Sequence, residues 1–133
     1  MQAQNTRTTR SAPSPVVVVV DQDAAVRSSL KFSLELEGFS VRVYGNAADF
    51  LDAGLDEADC LVIEQRVPAM TGMELISKLR AQNIATPAVL IVSQPNLAVS
   101  ASAEKAHVPI VEKPFLGNAL VDKIRQVCGS KAG

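Results

Sequence analysis

Residues 16–38 read VVVVVDQDAAVRSSLKFSLELEG, and this stretch decides the fold. Val16–Val20 is an unbroken β-branched run, the pattern of a strand buried on both faces. Asp23 then stands where an N-cap belongs, ahead of Val26, Leu30 and Leu34, whose spacing by fours predicts an amphipathic helix. Gly38 falls at the C′ position, where a helix ends in the left-handed region. A strand buried on both sides needs helices on both sides, and the rest of the chain supplies them.

Outward from that stretch the same two textures alternate. Phe39, Val41 and Val43 alternate with Ser40 and Arg42, predicting a second strand with one more exposed face. Asn46 opens a short helix through Phe50 and Leu51, and Cys60–Ile63 is a third strand. A loop over 64–72 contains Pro68. Thr71 and Glu74 stand in capping-box spacing before the stripe Leu75, Ile76, Leu79, with Pro87 marking the end of that helix. Ala88–Val92 is a fourth strand, 96–107 a weak Ala/Ser-rich helix, Pro109–Val111 a fifth strand, and Leu120, Ile124 and Val127 the stripe of a last helix. Five strands alternating with five helices predict an α/β fold, a doubly wound parallel sheet covered on both faces.

The chain has 133 residues, enough for one domain and not for a second such as a DNA-binding output module. Residues 1–15, polar and free of acids, read as a disordered tail rather than a signal or transit peptide. The domain is placed at 16–128, and 129–133 as a frayed end or a linker. Lys and Arg total 13 against 14 Asp and Glu, without the basic excess of a protein that binds nucleic acid directly. The longest Val/Leu/Ile run is 16–20, far short of the roughly 20 residues of a membrane span. Cys60 and Cys128 make no CxxC, zinc or disulfide framework and read as small buried hydrophobes of a reduced, cytoplasmic protein. His107 is alone, so no multi-histidine metal site is expected. It reads as an exposed helix-end residue, with a pH sensor as the rival reading.

In open α/β sheets chemistry gathers beyond the carboxyl ends of the strands. The residues just past the apolar runs are Asp21, Gln22 and Asp23, then Glu64, Ser93 and Lys113. No glycine-rich phosphate loop follows the first strand, which argues against a dinucleotide or P-loop site.

The blocks VVVVVDQDAAVRSSL, CLVIEQRVPAMTGMEL, AVLIVSQP and IVEKPF, in this order and spacing, resemble the response-regulator receiver domain of two-component signalling, over residues 16–127. The resemblance implies a flavodoxin-like five-stranded sheet in the order 2-1-3-4-5, with five helices. It also implies a signalling module rather than an enzyme. Receivers carry an acid pair after the first strand, a phosphoacceptor Asp ending the third, a hydroxyl after the fourth and a Lys-Pro after the fifth. The acids hold Mg²⁺, and the Lys and hydroxyl meet the phosphoryl oxygens. Here the metal positions fall on Asp21, Gln22 and Glu64, the acceptor position on Glu64, and the phosphate contacts on Ser93 and Lys113. In the family the peptide before the residue matching Pro114 is usually cis.

Two of these positions depart from the pattern. Glu64 stands where the acceptor Asp belongs, its carboxylate about 1.5 Å further out. In-line transfer loses about 10²-fold for a misplacement of about 1 Å. Gln22 replaces an acid with a neutral amide, a poorer partner for a hard cation. The resemblance therefore implies a degenerate, phosphorylation-impaired receiver with a weak or lost Mg²⁺ site. Asp23 could substitute for the missing acid or cap the first helix. For Glu64 three roles stay open: an inert ion pair with Lys113, a mimic of phosphoaspartate reaching Ser93 and Lys113, or a slow acceptor. Ile110 takes the place of the family's coupling aromatic. The expected function is a stand-alone module working by protein contacts through its fourth-helix, fifth-strand and fifth-helix face. The partner would be a histidine kinase, another response regulator or a second copy of the chain. The alternatives are a working Mg²⁺-dependent phosphoacceptor and a flavodoxin-like small-ligand binder.

Overall fold

Val17, Val18, Val19 and Val20 have no exposed surface, because each side of their strand is covered by helices. The computed structural model describes residues 14–54, 57–94, 96–113 and 118–132. Expectations for the tail up to residue 13 and for the peptide before Pro114 lie outside them. The main sheet comprises β1 (Val16–Val20), β2 (Ser40–Tyr44), β3 (Cys60–Glu64), β4 (Ala88–Val92) and β5 (Ile110–Glu112). All neighbours are parallel, in the order β2-β1-β3-β4-β5, the flavodoxin-like order expected.

The helices are α1 (Ala24–Leu36), α2 (Ala47–Ala53), α3 (Gly72–Ala81), α4 (Leu97–Lys105) and α5 (Ala119–Ala132). Alternation along β1 divides the core in two. Val17 and Val19 pack with Leu30 and Leu34 of α1 and Leu120 and Ile124 of α5. Val18 and Val20 pack with Phe50 of α2, Leu75, Ile76 and Leu79 of α3 and Ala103 of α4. Each fully buried valine contributes roughly 1.5–3 kcal/mol, so this one strand anchors both layers.

Local signals set the helix ends. Asp23 Oδ1 accepts from the backbone N–H of Ala25 at 2.9 Å and of Val26 at 3.3 Å, so Asp23 caps α1. Gly38, with φ of +101°, follows its last turn. At α3, Glu74 accepts from the Thr71 N–H at 2.8 Å and donates its own N–H to Thr71 Oγ1 at 3.1 Å, closing the capping box.

Several boundaries differ from the sequence reading. α3 ends at Ala81, well before Pro87, because Asn83 adopts φ of +65° while its N–H and that of Ile84 bond back to Arg80 and Leu79. Asparagine tolerates the left-handed region, so no proline is needed. His107 does the same after α4, at φ of +58°, and is exposed. The stretch read as a loop holds an antiparallel two-residue ribbon, Arg66–Val67 with Met70–Thr71. Pro68 and Ala69, the latter at φ of +79°, form its turn. β5 lies one residue later than expected. α5 carries its backbone to Ala132, beyond the boundary set at 128, since a lone Gly129 costs a helix only about 1 kcal/mol.

Cys60 and Cys128 form no disulfide and are buried against the α1/α5 face. The neighbouring Cys128 thiol, together with burial, pushes the Cys60 thiol far above its ordinary range. It is therefore a packing group and not a nucleophile at neutral pH.

Gly72 begins α3 directly under β3. A Cβ there would lie 2.6 Å from the Glu64 carbonyl oxygen and 2.8 Å from Leu90 Cδ1. Backbone cannot yield as a side chain can. Gly72→Ala is expected to lose about 1–3 kcal/mol of stability, read as a lower urea midpoint with an unchanged slope.

Candidate functional site

Asp21, Glu64 and Lys113 are each fixed by a ladder bond at the carboxyl edge of the sheet. The Asp21 N–H donates to the Tyr44 carbonyl at 3.0 Å, extending the β1–β2 ladder by one residue. Glu64 is the last residue of β3, in register with Ile91 of β4. The Lys113 N–H donates to the Val92 carbonyl at 2.9 Å, just past β5. The backbone thus brings three strand ends together before any side-chain interaction is counted.

Lys113 Nζ lies 2.9 Å from Glu64 Oε2 and 3.1 Å from Asp21 Oδ2. Only the contact with Glu64 is directed as a hydrogen bond. Asp21 Oδ2 is buried with an opposite charge beside it but no hydrogen-bond donor. Asp21 Oδ1 accepts from the Asp23 N–H at 2.9 Å, and Glu64 Oε1 accepts from the Gln22 N–H at 3.3 Å. Asp21 is 1% exposed and Glu64 5%, so two carboxylates have left water around one ammonium.

Burial pushes the Glu64 carboxyl above its ordinary value of 4.5, and the Asp21 charge adds to it; the Lys113 hydrogen bond opposes the rise without cancelling it. For Lys113 burial pulls downward, yet its contacts with Glu64 and Asp21 win and the ammonium rises above 10.5.

The other expected site residues stand apart. Gln22 is exposed and contributes its backbone N–H to Glu64. Ser93 is exposed, and among the described residues no hydrogen bond joins it to Glu64 or Lys113. One contributor was not read from the sequence: Arg27 Nη1 donates to the Asp21 carbonyl at 2.7 Å, holding the bend after β1. The signal existed, as Arg27 lies one turn into a helix capped at Asp23, but a surface arginine on α1 carries no motif.

This fold is that of a response-regulator receiver domain. Residues 17–125 match the response regulator receiver domain, and the chain belongs to that family. It is similar to the transcriptional regulatory protein FixJ of Azorhizobium caulinodans, 34% identical over 118 residues, covering 87% of this chain and 56% of that protein. FixJ of Bradyrhizobium diazoefficiens is 35% identical over 111 residues, covering 81% and 54%. The chain thus spans about half the length of the curated relatives it matches. Among solved structures it resembles the response regulator StyR, with 36% identity, TM-score 0.81, and 90% and 61% coverage. It likewise resembles the FixJ amino-terminal domain, with 30% identity, TM-score 0.79, and 89% and 96% coverage.

Receiver domains are in general signalling modules rather than enzymes. They typically bind Mg²⁺ for phosphorylation and interact with histidine kinases and other response regulators. Among the described residues, no helix of this chain is long and apolar enough to cross a membrane.

The buried charges yield two expected outcomes. Because the folded Glu64 carboxyl is raised, the native state holds its proton longer than the unfolded chain does. The stabilising contribution is present below pH 4.5 and is lost as pH rises through the elevated value. Glu64→Gln should therefore gain on wild type over that window in urea titrations at stepped pH; a flat difference contradicts the burial argument. Lys113→Met leaves both carboxylates without their cation and should cost about 3 kcal/mol at pH 7, less as the pH falls toward 5.

Proposed function

We propose that this chain is a phosphorylation-impaired receiver whose acceptor-position carboxylate is held by its own lysine, and that it signals through protein contacts. The observation that carries the reading is the pairing of Glu64 with Lys113 at 2.9 Å. The longer side chain reaches the ammonium directly, and its second oxygen is taken by the Gln22 N–H. Of the three roles open to Glu64, the inert ion pair is the one this geometry supports, since its oxygens face Lys113 and Gln22 rather than Ser93.

The donor set suits Mg²⁺ poorly. Asp21 Oδ2 accepts no hydrogen bond but lies 3.1 Å from Lys113 Nζ, Glu64 is tied to the same ammonium, and the third position is the neutral, exposed Gln22. Among the described residues no three His, Cys, Asp or Glu side chains cluster as a metal site. Near-octahedral Mg²⁺ needs anionic oxygens that are not already neutralised by an ammonium. Output falls to contacts of the α4, β5 and α5 face with a histidine kinase, another response regulator or a second copy, and none of these requires nucleic acid.

Incubation with Mg²⁺ and acetyl phosphate followed by intact mass is expected to show no added phosphoryl group. The Gln22→Asp, Glu64→Asp double variant is expected to bind Mg²⁺ at least tenfold more tightly. A one-phosphoryl gain in wild type that disappears in Glu64→Ala would overturn the reading. So would a double variant with unchanged Mg²⁺ affinity.

A further inference from the structure

Beside the ion pair, between the segments that follow β3 and β4, lies a cavity of about 360 Å³. Its polar lining, among the described residues, is one guanidinium, two hydroxyls and three amides: Arg66, Thr71, Ser93, Gln65, Gln94 and Asn96. Arg66, Ser93 and Gln94 face it with no side-chain hydrogen bond or ion pair among the described residues. Gln65 Oε1 takes the Met73 N–H at 3.0 Å and Asn96 Oδ1 takes the Val99 N–H at 2.8 Å. The amide N–H groups of both have no partner among the described residues. Among those residues no carboxylate lines the cavity, and Val92 and Val99 give it an apolar floor.

An unpaired guanidinium, a hydroxyl and amide donors over a valine floor select a small organic anion. Its oxygens would meet Arg66 and the amides, and its carbon stem would lie on the valines. We propose that this cavity is a binding site for such an anion, of the aryl or alkyl carboxylate class. Asp21, Glu64 and Lys113 do not line it, so the site operates whether or not Glu64 accepts phosphate.

Occupancy has a mechanical consequence. Ser93, Gln94 and Asn96 lead directly into α4, and among the residues of that helix only Ala103 is buried. A ligand tying these residues to Arg66, which stands on the other wall, fixes the start of a weakly anchored helix. Binding at the cavity therefore reaches the face through which the module would meet its partner.

The test uses benzoate as the probe and benzyl alcohol, its neutral analogue, as control, each titrated into the ¹⁵N-labelled full chain. Saturable amide shifts at residues 65–67 and 93–99 with benzoate, and none with benzyl alcohol, are expected. Arg66→Gln, an exposed position whose fold the same spectra verify, should weaken benzoate by about tenfold, as loss of a charged hydrogen bond does. Gln94→Glu should weaken it as well, by placing a carboxylate at the rim. Absence of saturation, equal response to benzyl alcohol, or an affinity unchanged in Arg66→Gln each overturns the proposal.

Discussion

The structure depends on the burial of β1 on both faces. Four consecutive valines without exposed surface cannot occupy a sheet edge or a sheet with one wet side. Helices must cover both faces, which forces crossover connections and a parallel arrangement. In a parallel sheet every strand finishes at the same edge. The polar groups that gather at that edge are Asp21 directly after Val20, Glu64 directly after Ile63, and Lys113 one residue beyond the exposed Glu112. The site is a geometric consequence of the core, and the ladder bonds at Asp21 and Lys113 hold it there.

Given that edge, side-chain length sets how far each charge reaches. An aspartate at position 64 would hold its carboxylate about 1.5 Å nearer its own backbone. Glutamate carries it that much further toward Lys113. Its oxygens are taken by Lys113 at 2.9 Å and the Gln22 N–H at 3.3 Å. Desolvating two carboxylates around one ammonium is costly, and the rise of the Glu64 carboxyl is the visible sign of it. Lys113 reduces this cost by lying against both carboxylates.

The fold was legible because it is written in periodicity. The valine run, the fours of Val26, Leu30 and Leu34, and the Thr71/Glu74 capping box are local patterns whose physics is local, and each stands as read. What escaped the sequence depended on backbone conformation that side chains only permit. Asn83 and His107 end helices in the left-handed region although neither is glycine, and Pro68–Ala69 turns a presumed loop into a ribbon. In the site, Asp21, Glu64 and Lys113 were legible as strand-end residues. Arg27 was not, because its bond to the Asp21 carbonyl joins a helix to a bend and leaves no spacing signature. The outward position of Ser93 was hidden for the same reason, since motif order fixes which strand a residue follows but not which way it faces.

That outward position alters how the two ends of the module can communicate. In the family's pattern the fourth-strand hydroxyl and a fifth-strand aromatic act together, whereas here Ile110 supplies no ring and Ser93 has no bond to the ion pair. Lys113 still links β5 to Glu64 through a rigid strand end. By contrast α4, with Ala103 as its buried anchor and Leu97 among the most exposed large side chains, has little holding it to the sheet. An element so loosely packed is set by whatever orders its first turn. Ser93, Gln94 and Asn96, just ahead of it, border the cavity beside Arg66 rather than the carboxylates. In the proposed reading the groups around Arg66 set the α4 face, while Lys113 joins the ends of β1, β3 and β5 through Asp21 and Glu64.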